Sequence, residues 1–257
     1  MIHVLQQLID TYFAYVPRPV PQSIKEGEVR LMAHRGAHDH EIRVFENTHE
    51  AFQRAMSLGC HGIELDVHAS ADGVLVVNHD PSLKRLWGHD VAIRSRTFHE
   101  LRSLVPQLPS LAEVVDRYGK KMHLFIELKA PFTAIASLTE TLKELTPSVD
   151  YHLICLDETT LPTLTAFPKA SLLLVPEHHN VKKFCQLSLE QHYGGVLGHY
   201  LLLQNKQIKQ LRAANQLVGV GFVDSKYSLY RELNRGMYLL FTNKAETIAR
   251  CLQKLRS

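Results

Sequence analysis

The chain has 257 residues, 45% of them hydrophobic, which is enough for the core of one large α/β domain or two small ones. Its net charge is only +3 and its lysines and arginines are dispersed, which argues against a nucleic-acid-binding surface. The four cysteines lie far apart without a Cys-x-x-Cys pair, so we expect free thiols in a reducing compartment rather than disulfides or a thiolate zinc site.

Residues 1–28 are expected to form an N-terminal helix and a proline-rich segment, ahead of a barrel domain over residues 29–257. Apolar side chains at positions 4, 5, 8, 9, 12 and 13 have the spacing of an amphipathic helix, and prolines follow at 17, 19 and 21. We expect this helix to pack on the domain; peripheral contact with a membrane surface is the alternative. No signal peptide is recognised, and no stretch reaches the roughly 20 apolar residues of a membrane span. The prediction is a cytoplasmic protein, with the oligomeric state left open.

From residue 29 onward, short apolar runs alternate with longer amphipathic segments. Nine runs are predicted strands: Val29–His34, His61–Val67, Val74–His79, Met122–Leu128, Tyr151–Leu156, Ser171–Val175, Gly195–Leu197, Leu217–Phe222 and Tyr238–Phe241. The helical patterns between them include Thr48–Leu58, Ser110–Tyr118 and Asn205–Ala214. Alternating β and α units predict a parallel sheet, and about eight units in a chain of this length predict a single (β/α)8 TIM barrel.

The ninth strand is explained by a hairpin. Only residues 68–73 separate the second run from the third, too few for a parallel crossover, and they end in Ala71-Asp72-Gly73, in which Asp-Gly is a typical hairpin turn. The third run is therefore predicted to be the return strand of a β-hairpin that extends the second barrel strand. A two-residue turn at Asp72-Gly73 would place Asp66 opposite His79 at the rim of the barrel, where active sites of this fold lie.

Polar side chains collect where the predicted strands end. They are His34 and Arg35 after the first strand, Glu46 and Asn47 before the next helix, Glu64 and Asp66 on the second strand, His79 at the end of the hairpin, and Glu127 and Lys129 on the next barrel strand. One histidine among sixteen is usually structural, and a lone Glu-x-Asp is usually solvated. Inward positions of a barrel strand are not solvated, however, so the combined set favours a functional site.

The residue types in this set predict its chemistry. Three neighbouring carboxylates repel one another unless they are neutralised, and all-oxygen donors favour one Mg²⁺ or Ca²⁺ ion over zinc. Two histidines suit general acid–base catalysis at neutral pH, while Arg35 and Lys129 supply fixed positive charge for a phosphate. The sequence therefore predicts a site that cleaves phosphodiesters with the help of a metal.

The ordered motifs between Leu31 and Lys129 resemble those of the glycerophosphodiester phosphodiesterase family, whose TIM barrel is related to phosphatidylinositol-specific phospholipase C. The motifs are Ala33-His34-Arg35-Gly36, Phe45-Glu46-Asn47-Thr48, Gly62-Ile63-Glu64-Leu65-Asp66-Val67, Asp72-Gly73, Val76-Val77-Asn78-His79-Asp80 and Ile126-Glu127-Leu128-Lys129. As an ordered set they are highly specific.

The resemblance implies a hydrolase of lipid and glycerol metabolism that converts small glycerophosphodiesters to glycerol 3-phosphate and an alcohol. It implies His34 and His79 as general acid and base, without saying which is which. Glu64, Asp66 and Glu127 would hold the metal, and Arg35 with Lys129 would engage the phosphate. Glu46, Asn47, Phe222 and His199 are further predicted substrate-site residues, Phe222 as an apolar wall.

Three alternatives remain open at this point. A lysophospholipase D acting on acylated substrates would use the same phosphodiester chemistry. A zinc amidohydrolase would use His38, His40, His178, His199 and Asp224, but it leaves the carboxylate set without a role. A non-catalytic binding barrel is the third alternative, although such proteins normally lack one of the chemical groups, and none is missing here.

Overall fold

Eight parallel strands close into a barrel in the computed structural model, which describes residues 11–22, 24–25 and 27–256. The barrel strands are β1 (Arg30–His34), β2 (Gly62–Ala69), β4 (His123–Leu128), β5 (Tyr151–Cys155), β6 (Leu172–Leu174), β7 (Gly195–His199), β8 (Leu217–Gly221) and β9 (Leu239–Thr242). Each pairs in parallel with its neighbours, and β1 pairs with both β9 and β2, which closes the ring. The predicted TIM barrel is confirmed.

Helices lie between the barrel strands and cover them. They are α1 (His49–Ser57), α2 (Lys84–Trp87), α3 (Phe98–Leu104), α4 (Leu111–Tyr118), α5 (Ile135–Leu142), α6 (Val181–Gln191), α7 (Asn205–Ala213), α8 (Lys226–Asn234) and α9 (Ala245–Arg256). The three helices predicted above match α1, α4 and α7 closely, and two of them begin at strong capping signals. Thr48 caps α1 through its hydroxyl, and Ser110 with Glu113 forms a capping box at α4.

The strands are buried on both faces, as parallel strands covered by helices must be. The larger core fills the space between strands and helices and includes Phe52, Leu65 and Leu153. A second cluster fills the inside of the barrel and contains Met32, Phe125, Ile154, Leu173, Leu197, Leu239 and Phe241. The barrel interior is therefore packed, and only its ends are available to ligands.

The hairpin forms as predicted, but its register differs by one residue. Strand β3 (Leu75–Val77) returns antiparallel along β2, with Val67 opposite Val77 and Ala69 opposite Leu75. The turn is longer than two residues because the Ser70 amide donates to the Val74 carbonyl at 3.0 Å and Gly73 adopts φ of 77°. The prediction that Asp66 lies opposite His79 is therefore wrong: the Asn78 amide, not His79, donates to the Asp66 carbonyl, at 3.0 Å.

The N-terminal segment contacts the barrel through Phe13. Residues 11–15 are helical, and the Phe13 ring lies edge-on to Tyr200 at 5.8 Å between centroids, with the Arg18 and Arg231 guanidinium groups over its face. The part of the predicted helix before residue 11 lies outside the described residues. In the part of the chain that the structure covers, no helix has the length and apolar character that crossing a bilayer requires.

Candidate active site

The predicted site residues meet at the carboxyl ends of β1, β2 and β4. His34 lies beside Glu64 in the register of β1 and β2, and Asp66 lies beside Glu127 in that of β2 and β4. The carboxyl ends of parallel barrel strands share one rim, so residues distant in sequence converge there. The structure thus brings the three carboxylates and His34 together.

The three carboxylates form a compact and unevenly ionised group. One oxygen from each of Glu64, Asp66 and Glu127 lies within 4.8 Å of the others. Burial, with repulsion from Asp66 and Glu127, raises the pKa of Glu64 well above its ordinary value, and burial and Asp66 raise the pKa of Glu127. Burial also opposes ionisation of Asp66, but Lys129 and Arg35 hold its pKa below the ordinary value.

This group has the features of a divalent cation site. Its donors are carboxylate oxygens, and Glu64 Oε1 is buried with no hydrogen-bond partner among the described residues. It is also the one group of three or more metal-ligating side chains found in the described parts of the chain. The histidines of the zinc alternative do not assemble with Asp224 into such a group. The carboxylate oxygens therefore fit a hard divalent ion.

Two cations border the carboxylates. Lys129 Nζ lies 2.7 Å from Asp66 Oδ1 and also pairs with Glu127, while Arg35 Nε lies 3.3 Å from Asp66 Oδ2. The Arg35 backbone amide donates to Glu64 Oε2 at 3.0 Å. Arg35 has φ of 55°, an unusual conformation for a non-glycine residue, with its amide on Glu64 and its guanidinium group beside Asp66.

His34 has a different partner on each ring nitrogen. Its Nδ1 lies 2.7 Å from Asn243 Oδ1 on the loop after β9, and its Nε2 lies 3.6 Å from Glu64 Oε2. Burial, followed by the charge of Arg35, lowers the pKa of His34 to about 4. The imidazole is therefore neutral at pH 7, and its Nε2 edge faces the carboxylates.

His79 follows the hairpin and is held by an acidic neighbour. Its Nδ1 lies 2.8 Å from Asp80 Oδ1, and Asp80 Oδ2 accepts from Arg85 Nε at 2.5 Å. Burial lowers the pKa of His79, an effect that the negative charge of Asp66 opposes. His79 is the more exposed of the two histidines, with 32% of its side chain accessible against 20% for His34.

Glu46 and Asn47 act on other site residues in this structure. Asn47 Nδ2 donates to Asp66 Oδ2 at 2.8 Å, from a backbone with φ of 57°. Glu46 accepts from Arg35 at 3.1 Å and from Arg85 at 2.6 Å, and these two arginines outweigh burial and hold its pKa below the ordinary value. Both residues therefore orient the charged groups of the site, and direct contact with substrate stays a prediction.

The opposite side of the site is apolar. A cavity of about 90 Å³ reaches from His34, Glu64 and Glu127 to Ile154, Val175, Leu197, Gly198, His199, Gly221, Phe222 and Phe241. Phe222 is 44% exposed, has φ of 63°, and its ring lies 5.2 Å from His199 and 5.7 Å from His34. Phe222 lies on the lining of this cavity, and its role as an apolar wall for the substrate stays a prediction.

The structure adds four supporting residues: Asn243 and Asp224 behind His34, and Asp80 and Arg85 behind His79. The sequence pointed to Asp224 only through the zinc alternative and to Asp80 only as part of a motif. A weak signal existed for Asn243, since it follows the last barrel strand, at the end where active sites of this fold lie. Arg85 had none, because it lies on the short helix α2 in the connector after the hairpin.

Comparison with known proteins decides the family. Residues 34–247 match the family described as "Glycerophosphoryl diester phosphodiesterase family". The chain belongs to this family. The match begins at His34 and ends in α9, so it includes every site residue described above.

Individual relatives agree with this assignment. A glycerophosphodiester phosphodiesterase of Caldanaerobacter subterraneus is 36% identical over 44% of this chain, and the chain spans only half of that protein's length. One of Bacillus subtilis is 26% identical over 84% of this chain and 83% of its own length. The crystal structure of a glycerophosphodiester phosphodiesterase from Thermotoga maritima superposes with a TM-score of 0.76 at 26% identity, covering 88% of this chain and 99% of that one.

Proposed function

We propose that the chain hydrolyses glycerophosphodiesters, with one divalent cation bound by Glu64, Asp66 and Glu127, to glycerol 3-phosphate and a free alcohol. The observation that carries the proposal is the carboxylate group, with one oxygen from each residue within 4.8 Å of the others and His34 Nε2 at 3.6 Å from Glu64 Oε2. Membership of the family supports the same reaction class. Carboxylate donors favour Mg²⁺ or Ca²⁺.

The bound cation would polarise phosphoryl oxygens as a Lewis acid. The chain's own cations assist: Lys129 and Arg35 now pair with Asp66, at 2.7 and 3.3 Å, and their donors would turn toward a phosphate bound beside it. The apolar side of the cavity, with Phe222 and His199, would receive a carbon-bearing part of the substrate.

His34 is proposed as the general base and His79 as the general acid. Burial and the charge of Arg35 leave His34 uncharged, and the contact of Nδ1 with Asn243 leaves Nε2 directed at the carboxylates. The Asp80 carboxylate on Nδ1 of His79 instead stabilises the protonated ring and so opposes the burial that lowers its pKa. The protonated ring can give a proton to the leaving alcohol. We retain the predicted cytoplasmic location and the domain boundary at residue 28 as part of the proposal.

The proposal is tested with a panel of glycerophosphocholine, glycerophosphoethanolamine and lysophosphatidylcholine, each with Mg²⁺ or Ca²⁺. We expect turnover of the first two substrates and release of glycerol 3-phosphate. His34→Ala and His79→Ala should each lower kcat by about 10²–10⁴-fold, the usual contribution of general acid–base catalysis. Turnover confined to lysophosphatidylcholine would identify a lysophospholipase D instead, and no turnover of any phosphodiester would favour the binding barrel.

A further inference from the structure

We infer that Asp224 and Asn243 are positioning residues that fix the tautomer of His34, so that its Nε2 carries the lone pair of the base. The inference rests on the proposed role of His34. It assigns a task to two residues on the loops after β8 and β9, neither of which touches the reacting phosphate.

The first step is the orientation of the Asn243 side chain. Asp224 Oδ1 accepts from the Asn243 backbone amide at 2.7 Å and from Thr242 Oγ1 at 2.8 Å, and Asp224 Oδ2 faces Asn243 Nδ2 at 2.9 Å. A carboxylate accepts hydrogen bonds and does not donate them, so the amide nitrogen of Asn243 must be the atom that faces it. The amide oxygen is then turned away from Asp224.

The orientation of Asn243 decides which ring nitrogen of His34 carries the hydrogen. Asn243 Oδ1 faces His34 Nδ1 at 2.7 Å, and an amide oxygen can only accept. The neutral ring must therefore carry its hydrogen on Nδ1. Nε2 is left with a lone pair, on the edge that faces Glu64 Oε2 at 3.6 Å. The charge of Asp224 thus sets the tautomer of His34 through the intervening amide.

The contacts suit a positioning role. Asn243 joins the end of the barrel to its beginning, because its partner His34 lies 209 residues earlier on the neighbouring strand. No lysine, arginine or histidine forms an ion pair with Asp224 among the residues described, so its carboxylate is satisfied by the neutral donors of Thr242 and Asn243.

Asp224→Asn gives the sharpest test. Its Oδ1 can keep both bonds from Thr242 and the Asn243 backbone, so the new amide nitrogen takes the place of Oδ2. Two amide nitrogens would then face each other, and the Asn243 side chain must flip to present its oxygen. The flipped Asn243 donates to His34 Nδ1, which moves the ring hydrogen to Nε2. The ring then has no lone pair on the Nε2 edge that faces the carboxylates.

The tautomer is read by ¹⁵N–¹H NMR of the histidine rings in the full chain with Mg²⁺, with the His34 signals identified as those lost in His34→Gln. We expect an Nδ1–H ring in the wild type and an Nε2–H ring in Asp224→Asn. Steady-state kinetics on glycerophosphocholine should show kcat lowered about 10²-fold with KM changed by less than about threefold, since a misdirected base affects the chemical step. Asn243→Ala, which removes the link altogether, should lower kcat similarly.

Thr242→Val is the matched control, because Thr242 donates to the same carboxylate from a buried position but does not lie between Asp224 and His34. It should keep kcat within about twofold of the wild type. An Nδ1–H ring retained in Asp224→Asn overturns the inference, as does a loss in Thr242→Val equal to that in Asn243→Ala, or full kcat in Asn243→Ala. The tautomer is read without substrate, so failure of the proposed hydrolysis and failure of this inference are distinguishable.

Discussion

The ionisation of the site carboxylates fits the divalent cation proposed to bind there. Lys129 and Arg35 neutralise Asp66, yet burial and mutual repulsion still raise the pKa values of Glu64 and Glu127. Buried carboxyl groups that repel one another lower the stability of the folded chain. A bound divalent ion would reverse this effect, so cation binding and folding stability should be coupled.

Glu64→Gln should separate the effect of carboxylate repulsion on stability from the effect of cation binding. The substitution removes one metal-ligating oxygen and one source of repulsion, while the amide oxygen can still accept from the Arg35 backbone. In chelator, we expect a Tm equal to or above that of the wild type, and in Mg²⁺ the ligand-induced rise in Tm should be lost. The exposed Glu140→Gln is the control. A wild-type rise in Tm with Mg²⁺ that persists in Glu64→Gln would rule out Glu64 as a ligand.

Arg85 should matter for catalysis although it lies outside the family motifs. It bridges Asp80 and Glu46, so it supports His79 on one side and Arg35 on the other. Arg85→Gln should lower kcat/KM about tenfold, the lower end of what orienting partners contribute around a catalytic centre. Lys84 lies on the same helix as Arg85 and forms an exposed ion pair with Asp90. Lys84→Gln removes this ion pair and should leave kcat/KM unchanged. Equal kinetics in both variants would refute the role of Arg85.

At the scale of elements, Gly36 holds the end of β1 against α1. It has φ of 79°, and a Cβ there would lie 2.7 Å from Ala51 Cβ and 2.9 Å from Phe52 Cδ1. Gly36→Ala should therefore combine backbone strain with a steric clash against a fixed helix, and lower the free energy of unfolding by about 2–4 kcal/mol.

Gly59→Ala is the matched control for Gly36→Ala. Gly59 has φ of 73°, but a Cβ there meets nothing within 4 Å. Gly59→Ala should therefore lower the free energy of unfolding only by the backbone strain, about 1 kcal/mol. Urea denaturation followed by circular dichroism measures both variants. Equal losses in the two variants would show that the contact with α1 contributes nothing.

The barrel itself could be predicted from the sequence because its strands are short apolar runs separated by helical patterns. The hairpin was also predictable, since Asp72-Gly73 leaves no room for a crossover. The register was not: it depends on Ser70 pairing with Val74 and on the positive φ of Gly73, which make the turn longer than the Asp-Gly pattern suggests. The difference of one residue replaces His79 with Asn78 opposite Asp66.

The site was predictable where residues lie on strands, and not where support comes from loops. The carboxylates and both histidines follow apolar runs directly, so their positions at the rim follow from the fold. Asn243 comes just before α9 and looks like an ordinary helix-capping residue in the sequence. Its contact with His34 appears only when β9 closes on β1. In the sequence, Asp224 has a predicted role only as a ligand in the zinc alternative.

At the scale of the whole molecule, the two ends of the barrel differ in chemistry. The carboxyl ends of the strands carry the charged site, whereas His123 and His152 lie near the opposite ends of β4 and β5. His123 Nε2 lies 2.7 Å from His152 Nδ1, and the His152 ring stacks on Phe125 at 5.4 Å. Burial, together with the neighbouring His123, lowers the pKa of His152 to about 3.

This pair predicts a loss of stability in mild acid. The unfolded chain takes up a proton on His152 below about pH 6.5, whereas the folded chain does so only near pH 3, so stability is complete above pH 6.5 and falls as the pH drops. His152→Phe should make the free energy of unfolding fall less steeply between pH 6.5 and 4, by about 1 kcal/mol per pH unit. The exposed His99→Gln is the control, and an unchanged slope in His152→Phe would contradict the prediction.

A cation-dependent phosphodiesterase built on Glu64, Asp66 and Glu127 is the function that we propose for this barrel. Its most direct test is a ³¹P NMR time course of glycerophosphocholine with the wild-type chain, first with Mg²⁺ or Ca²⁺, then with excess chelator, then with the cation restored. We predict that the diester signal converts to that of glycerol 3-phosphate, that conversion stops with chelator, and that it resumes on restoration. Conversion that continues unchanged in chelator, or none with either cation, would contradict the claim.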